Sequence, residues 1–241
     1  MRPLGKRLNL ETHVSDPLTS MSQTSFDVAR SAMVTQQIRT CEVLDERLLE
    51  RLRTVPREDF VPAGQRAAAF ADTPIPIGRG QVMFAPMLDA RLVNALALTH
   101  DDRVLEVGTG TGYVTAVMAG LARLICSVEI VPEFKLRAAA LLASQGVANA
   151  LLEVGDGARG WPRHGPYDAI LVSGALPLGP DTRFRESLAV GGRLVVIVGE
   201  SPAMEARLIV REGPDRFSER SLFETDVPVL TNAPQRESFY F

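Results

Sequence analysis

The sequence predicts an open α/β fold with a mostly parallel β-sheet, an N-terminal helical cap and a C-terminal antiparallel hairpin. After residue 99, short apolar runs alternate with helical stretches, which is typical of parallel strands buried on both faces. Before residue 99 and beyond residue 200, this alternation is absent. The chain has 241 residues, of which 46% are hydrophobic and 23% charged, so we expect a globular protein with one core.

The first segment of the chain differs from the rest. Residues 1–20 are polar, lack a regular hydrophobic period and lack the apolar core of a signal peptide. We therefore expect residues 1–20 to be a flexible extension and residues 21–241 to form a single domain.

Charge and cysteine content exclude several classes of partner. The net charge is −3 and there is no long Lys/Arg run, which argues against nucleic acid or an anionic membrane surface as a partner. The apolar runs are shorter than the ~20 residues that cross a bilayer. Cys41 and Cys126 stand alone, without the spacing of a metal site or a disulfide framework. With no coiled-coil pattern either, we expect a cytoplasmic monomer without a metal.

The N-terminal cap is predicted from two helical patterns. Residues 26–39 form an amphipathic pattern, and Asp45 suits the N-cap of a second helix that ends at Pro56. Residues 56–81 are rich in Pro and Gly, so we expect a wrapping loop with short helical pieces. Pro86 suits the first turn of a third helix.

The central part of the chain supplies the parallel sheet. Its strand-like runs are "RVLEVG", "ICSVEI", "ALLEVGD", "YDAILVSG" and "GRLVVIVG", with helical stretches between several of them. Beyond Glu200, the runs "MEARLIVRE" and "ERSLFETDVPVL" are separated by "GPDRFS", which predicts the antiparallel hairpin at one end of the sheet.

A glycine-rich loop follows the first of these strands. In "VLEVGTGTGY", Gly108, Gly110 and Gly112 stand between a strand and a helix, where the backbone can approach a ligand and helix amides are free. A dinucleotide fingerprint would require a glycine at the position of Tyr113. The GxGxG spacing, preceded by Glu106, resembles the first motif of S-adenosylmethionine-dependent methyltransferases. The alternative is a turn that only packs a helix on the sheet.

Carboxylates follow the next two strands. Glu129 ends "ICSVEI" and has two oxygens that match the two hydroxyls of a ribose. Asp156 ends the third strand, where it could accept from an adenine amino group while the Gly157 amide meets a ring nitrogen. Alone, each is also a strand-end carboxylate or a turn. Together with the glycine loop, these two carboxylates fall at the carboxyl ends of three successive strands, where open α/β sheets bind ligands.

Further motifs are similar to those of the protein-L-isoaspartate O-methyltransferase family. They are "MVTQQI", "VPREDFVP", "ADTPIPIGRGQ", "GDGARGWP", "PYDAILVSGALP" and "LAVGGRLVVIVG", and they span residues 29–199. The resemblance implies the Rossmann-like fold of S-adenosylmethionine-dependent methyltransferases. It also implies a repair enzyme that methylates the misplaced carboxylate of isoaspartyl residues in proteins or peptides.

The resemblance implies a set of cofactor-binding residues. They are Gln81, Val82, Met83, Glu106, Gly108, Thr109, Gly110, Thr111, Gly112, Tyr113, Glu129, Asp156 and Gly157. Because a carboxylate is already ionised at neutral pH, methyl transfer to it requires alignment rather than a general base.

One loop departs from the family. The family has "GQTIS", whose final Ser contacts the substrate carboxylate, whereas this chain has "GQVMF" and places Phe84 at that catalytic position. Phe84 cannot donate a hydrogen bond, and a buried anion without partners costs several kcal/mol. Loop amides, Thr73 or Ser173 are candidate replacements. The alternatives are a methyltransferase with a different small-molecule or protein acceptor, and a non-catalytic module that binds S-adenosylmethionine.

Overall fold

A computed structural model of the chain describes residues 23–236. The extension predicted at residues 1–20 lies outside these residues, so the division into an extension and a single domain stays a prediction. Among the described residues, no helix is long and apolar enough to cross a membrane.

The predicted helical cap is confirmed. Its elements are α1 (Gln23–Ala32), a π-helical turn (Met33–Ile38), a 3₁₀ turn (Arg39–Cys41), α2 (Glu46–Thr54) and α3 (Arg57–Phe60). Asp45 caps α2 as predicted, since its carboxylate accepts a hydrogen bond from the Arg47 amide at 2.9 Å. Leu48, Leu49 and Leu52 are buried against the core.

The segment predicted as a wrapping loop also contains a small β-ribbon. A 3₁₀ turn (Ala63–Ala68) is followed by β1 (Ile75–Gly78) and β2 (Gln81–Met83), which pair antiparallel. Gly78, Arg79 and Gly80 make the reversal with φ angles of 104°, 52° and 72°, in the left-handed region. Strands this short give too few residues for a period of two to be recognised in the sequence.

The main sheet has seven strands. They are β3 (Arg103–Val107), β4 (Leu124–Glu129), β5 (Ala150–Val154), β6 (Tyr167–Leu176), β7 (Leu188–Glu200), β8 (Ala203–Arg211) and β9 (Phe217–Thr225). The strand order is β5-β4-β3-β6-β7-β8-β9. The pairs from β5 to β7 are parallel, and β7–β8 and β8–β9 are antiparallel, as predicted.

Helices complete the α/β layers. They are α4 (Pro86–Ala95), α5 (Tyr113–Ala119), α6 (Pro132–Ser144) and α7 (Thr182–Glu186). Successive strand residues alternate between two cores, so that Val104 packs with residues of the helical cap, α4, α5 and α6, whereas Leu105 packs with Phe184 of α7. Because these neighbouring strands run parallel, the carboxyl ends of β5, β4, β3 and β6 lie side by side at one edge of the sheet.

Candidate functional site

The glycine loop joins β3 to α5 at this edge. Gly108 and Gly112 have φ angles of 94° and 86°, a conformation that side chains disfavour. A Cβ atom on Gly108 would lie 3.3 Å from the carbonyl oxygen of Ser173, and one on Gly112 would lie 3.1 Å from the Cβ of Ala138. Backbone conformation and close packing therefore both require glycine here.

A cavity opens beside the glycine loop. Among the predicted site residues, its lining includes Gln81, Val82, Met83, Phe84, Glu106, Gly108, Thr109, Gly110, Thr111, Tyr113, Glu129, Asp156 and Gly157. Gly112 lies outside this lining and packs against α6 instead. The structure thus brings together in one cavity the residues that follow three strands and residues 81–84, which we call the β2 loop.

Glu129 is fixed at the end of β4. Its Oε1 accepts a hydrogen bond from the Val131 amide at 2.9 Å, and its Oε2 accepts one from the Gly110 amide at 2.8 Å. The carboxylate thereby ties β4 to the glycine loop. Each carboxylate oxygen can accept a further hydrogen bond, so both remain able to bind the hydroxyls of a diol.

Asp156 is held from two sides. Its Oδ1 accepts a hydrogen bond from the Ala158 amide and its Oδ2 one from Asn232 Nδ2, both at 3.0 Å. At the neighbouring Gly157, a Cβ would lie 2.8 Å from the Val107 Cγ1 atom, so the floor of the cavity has no room for a side chain.

Glu106 lies beneath the glycine loop and is fully buried. Its Oε2 accepts hydrogen bonds from Thr115 at 2.5 Å and Ser127 at 2.6 Å, whereas Oε1 has no partner among the described residues. Burial raises the pKa of Glu106 to about 7, and the carboxylates of Asp89 and Glu129 add to the rise while the two hydroxyl hydrogen bonds oppose it. A cationic ligand in the cavity would favour ionised Glu106.

Sequence reasoning missed a buried ion pair beside the cavity. The guanidinium of Arg57 is fully buried and donates to Asp89 Oδ2 and to the Ala69 carbonyl, each at 2.8 Å, and to the Phe84 carbonyl. It also lies 4.6 Å from the ring centre of Tyr113. Burial raises the pKa of Asp89 to about 6, against the opposing effect of Arg57. The sequence carries no signal for this pair, since Arg57 stands beside the further charges of Glu58 and Asp59, and Asp89 is two residues from Arg91.

The C-terminal segment also reaches the cavity, which the sequence did not predict. After β9 the chain returns to β6. There the Leu230 amide donates to the Ala175 carbonyl at 2.9 Å, and the Ala175 amide donates to the Pro228 carbonyl at 3.0 Å. Leu230 and Thr231 line the cavity, and Asn232 extends to Asp156. We call residues 226–233 the C-terminal strap.

The β2 loop adds apolar side chains to the lining of the cavity. Met83 and Phe84 are buried, and Val82 is half-buried. Of the two hydroxyls considered as replacements for the family Ser, Ser173 lines the cavity, whereas Thr73 is exposed and lies outside its lining.

The chemistry of the cavity fits S-adenosylmethionine. Among the described residues of its lining, none is Lys or Arg, and four carry carboxylates, namely Asp89, Glu106, Glu129 and Asp156. A ligand with a sulfonium, an ammonium and a ribose diol matches this excess of acceptors and the unpartnered Oε1 of Glu106. Among residues 23–236, no group of three or more His, Cys, Asp or Glu side chains could hold a metal ion.

Comparisons with known proteins agree with this assignment. The sequence model of the family protein-L-isoaspartate(D-aspartate) O-methyltransferase matches residues 28–232. Protein-L-isoaspartate O-methyltransferase 1 of Rhodopseudomonas palustris (strain HaA2) is 43% identical over 183 residues, covering 76% of this chain and 74% of that protein. The protein-L-isoaspartate O-methyltransferase of Methylorubrum populi is 43% identical over 205 residues, covering 85% and 96%.

A solved structure supports the fold. A Plasmodium falciparum protein assigned to the protein-L-isoaspartate O-methyltransferases, in complex with S-adenosyl-L-homocysteine, has a TM-score of 0.70 with 18% identity. The likeness covers 84% of this chain and 98% of that one. The predicted Rossmann-like methyltransferase fold is thereby confirmed.

Proposed function

The chain belongs to the protein-L-isoaspartate(D-aspartate) O-methyltransferase family, and from this we propose that it methylates the carboxylate of isoaspartyl residues in proteins or peptides with S-adenosylmethionine. The observation that supports the proposal best is the single cavity in which the glycine loop, Glu129, Asp156 and the β2 loop meet.

Each part of the cavity has a proposed task towards the cofactor. Glu129 binds the ribose hydroxyls, Asp156 and the Gly157 amide bind the adenine, and the glycine loop with Glu106 surrounds the methionine part. The other predicted residues of the lining enclose the cofactor; they are Thr109, Thr111, Tyr113 and the residues of the β2 loop. When bound, the cofactor supplies an electrophilic methyl group, and the acceptor carboxylate becomes a methyl ester with no proton transferred.

The chain itself contributes alignment and exclusion of water. Val82, Met83 and Phe84 form an apolar wall over the cavity, which strengthens electrostatic interactions inside it. Arg57 holds this wall in place because its guanidinium donates a hydrogen bond to the Phe84 carbonyl, and it takes no part in the chemistry. Since the acceptor is ionised at neutral pH, no general base is required.

The test is transfer of labelled methyl from S-adenosylmethionine to two matched peptides, one with isoaspartate and one with aspartate. We expect base-labile label on the isoaspartyl peptide only. The control is Gly110→Arg, which fills the cavity and should abolish both cofactor binding and transfer. Absence of label above the aspartyl peptide, with bound cofactor shown by calorimetry, would contradict the proposal in favour of another acceptor or of a non-catalytic role.

We further propose that the chain acts as a cytoplasmic monomer. Cys41 and Cys126 are free thiols, which fits a reducing compartment. Light scattering of the purified chain would test the monomer, and fractionation of cells that express it would test the location.

A further inference from the structure

We propose that Ser173 donates the hydrogen bond that holds the acceptor carboxylate, in place of the hydroxyl that the β2 loop lacks. The inference rests on the proposed isoaspartyl acceptor. It makes Ser173 a residue that determines substrate specificity in this chain.

The backbone of β6 is irregular at Ser173. Leu171 pairs with Val195 and Ala175 with Ile197, so four steps along β6 oppose two along β7. The additional residues form a bulge, and bulges at the ends of strands redirect side chains towards sites. Ser173 lies within this bulge and lines the cavity.

Ser173 also lies against the glycine loop. A Cβ on Gly108 would be 3.3 Å from the carbonyl oxygen of Ser173 and 3.4 Å from its Cβ, so β6 and the loop are in direct contact. An acceptor bound at Ser173 would therefore be next to the loop that surrounds the methionine part of the cofactor. This is the arrangement that methyl transfer requires.

The Ser173 hydroxyl is available. It is half-buried and makes no hydrogen bond with the described residues, unlike the hydroxyls of Thr115 and Ser127, which are committed to Glu106. Since no described side chain or backbone group occupies it, the Ser173 hydroxyl can donate to a ligand in the cavity. A carboxylate oxygen is a suitable acceptor for it.

The C-terminal strap places a second hydroxyl on the same side. Leu230 packs so closely on Gly174 that a Cβ there would lie 3.0 Å from the Leu230 Cβ, and the next residue, Thr231, lines the cavity. Val82 and Phe84 line the same cavity and carry no side-chain donor. Ser173 of β6 and Thr231 of the strap thus add hydroxyl donors to the lining that the β2 loop lacks at Val82 and Phe84.

The experiment measures kcat and KM for the isoaspartyl peptide, together with the Kd of S-adenosylmethionine. For Ser173→Ala we expect kcat/KM to fall by about 10- to 150-fold, the range of hydrogen bonds to charged groups, with KM raised and cofactor Kd unchanged. Ser173→Thr keeps the hydroxyl and should retain most activity. Phe84→Ser in the Ser173→Ala background should recover part of it, because the loop then supplies a donor.

Thr73→Ala is the matched control, since it removes an exposed hydroxyl outside the cavity, and it should leave kcat/KM unchanged. Thermal unfolding of each variant excludes loss of the fold as the cause. A kcat/KM of Ser173→Ala within twofold of the parent would overturn the role of Ser173 alone. A parent chain that binds cofactor but leaves the isoaspartyl peptide unlabelled would overturn the proposed function and this inference together.

Discussion

Replacing Arg57 by Met is expected to destabilise the fold strongly. Met has a similar length, so it fills the same space, but it has no hydrogen-bond donors. The guanidinium is fully buried and is the ion-pair partner of Asp89 at 2.8 Å. It also satisfies the carbonyls of Ala69 and Phe84. Arg57→Met therefore leaves a buried carboxylate without its cation and two carbonyls without this donor.

The magnitude follows from the burial. Removal of one partner of a buried ion pair costs about 3–5 kcal/mol. For a chain of this size each kcal/mol lowers Tm by about 2–4 °C, so Tm should fall by about 6–20 °C. Adding Asp89→Leu removes the unpaired carboxylate, so the double variant should be more stable than Arg57→Met while the two carbonyls stay unsatisfied.

Urea unfolding followed by circular dichroism at pH 7.5 gives the free energies of unfolding of the parent, both single variants and the double variant. Arg53→Met is the control, since that arginine forms a partly exposed pair with Glu50 and its loss should cost less than about 1 kcal/mol. An Arg57→Met variant as stable as this control, or a double variant no more stable than Arg57→Met, would contradict a stabilising role of the buried ion pair.

Three further predictions concern the cavity. Because the pKa of Glu106 is raised from 4.5 to about 7, the folded chain keeps a proton that the unfolded chain releases, and stability falls by about 3 kcal/mol as pH rises through this window. The Tm of Glu106→Gln minus that of the parent should therefore be more positive above pH 7 than at pH 4.5. The same difference at both pH values would contradict this. Asn232→Ala should weaken S-adenosylmethionine binding by about 2–10-fold in calorimetry, since Asp156 loses one of its two hydrogen bonds, and an unchanged Kd would count against it. Gly157→Ala should cost about 1–3 kcal/mol in urea unfolding, because its Cβ would lie 2.8 Å from Val107 Cγ1, and a neutral result would show that the floor of the cavity can move.

Features that depend on a few consecutive residues could be predicted from the sequence. Asp45 caps α2 and Pro86 begins α4 because capping and proline geometry act locally. Glu129 and Asp156 could be placed together because the carboxyl ends of neighbouring parallel strands meet at one edge.

Features that depend on distant contacts could not be predicted. The pairing of Arg57 with Asp89 joins residues 32 positions apart, and neither local sequence identifies the other. The choice between Thr73 and Ser173 depends on the bulge in β6, which comes from its register with β7. A single sequence states which hydroxyls exist, whereas the fold decides which of them line the cavity.

The C-terminal strap has a consequence for the order in which the site is assembled. Its contact with Asp156 spans 76 positions, and Leu230 reaches β6 only after β7, β8 and β9 have been made. Contacts of this sequence separation carry a large loop-closure entropy and form slowly. During synthesis, the glycine loop, Glu129 and Asp156 leave the ribosome long before the residues that complete the wall beside them. A nascent chain can therefore build most of its sheet while the site is still open, and the cavity is completed when the strap pairs with β6.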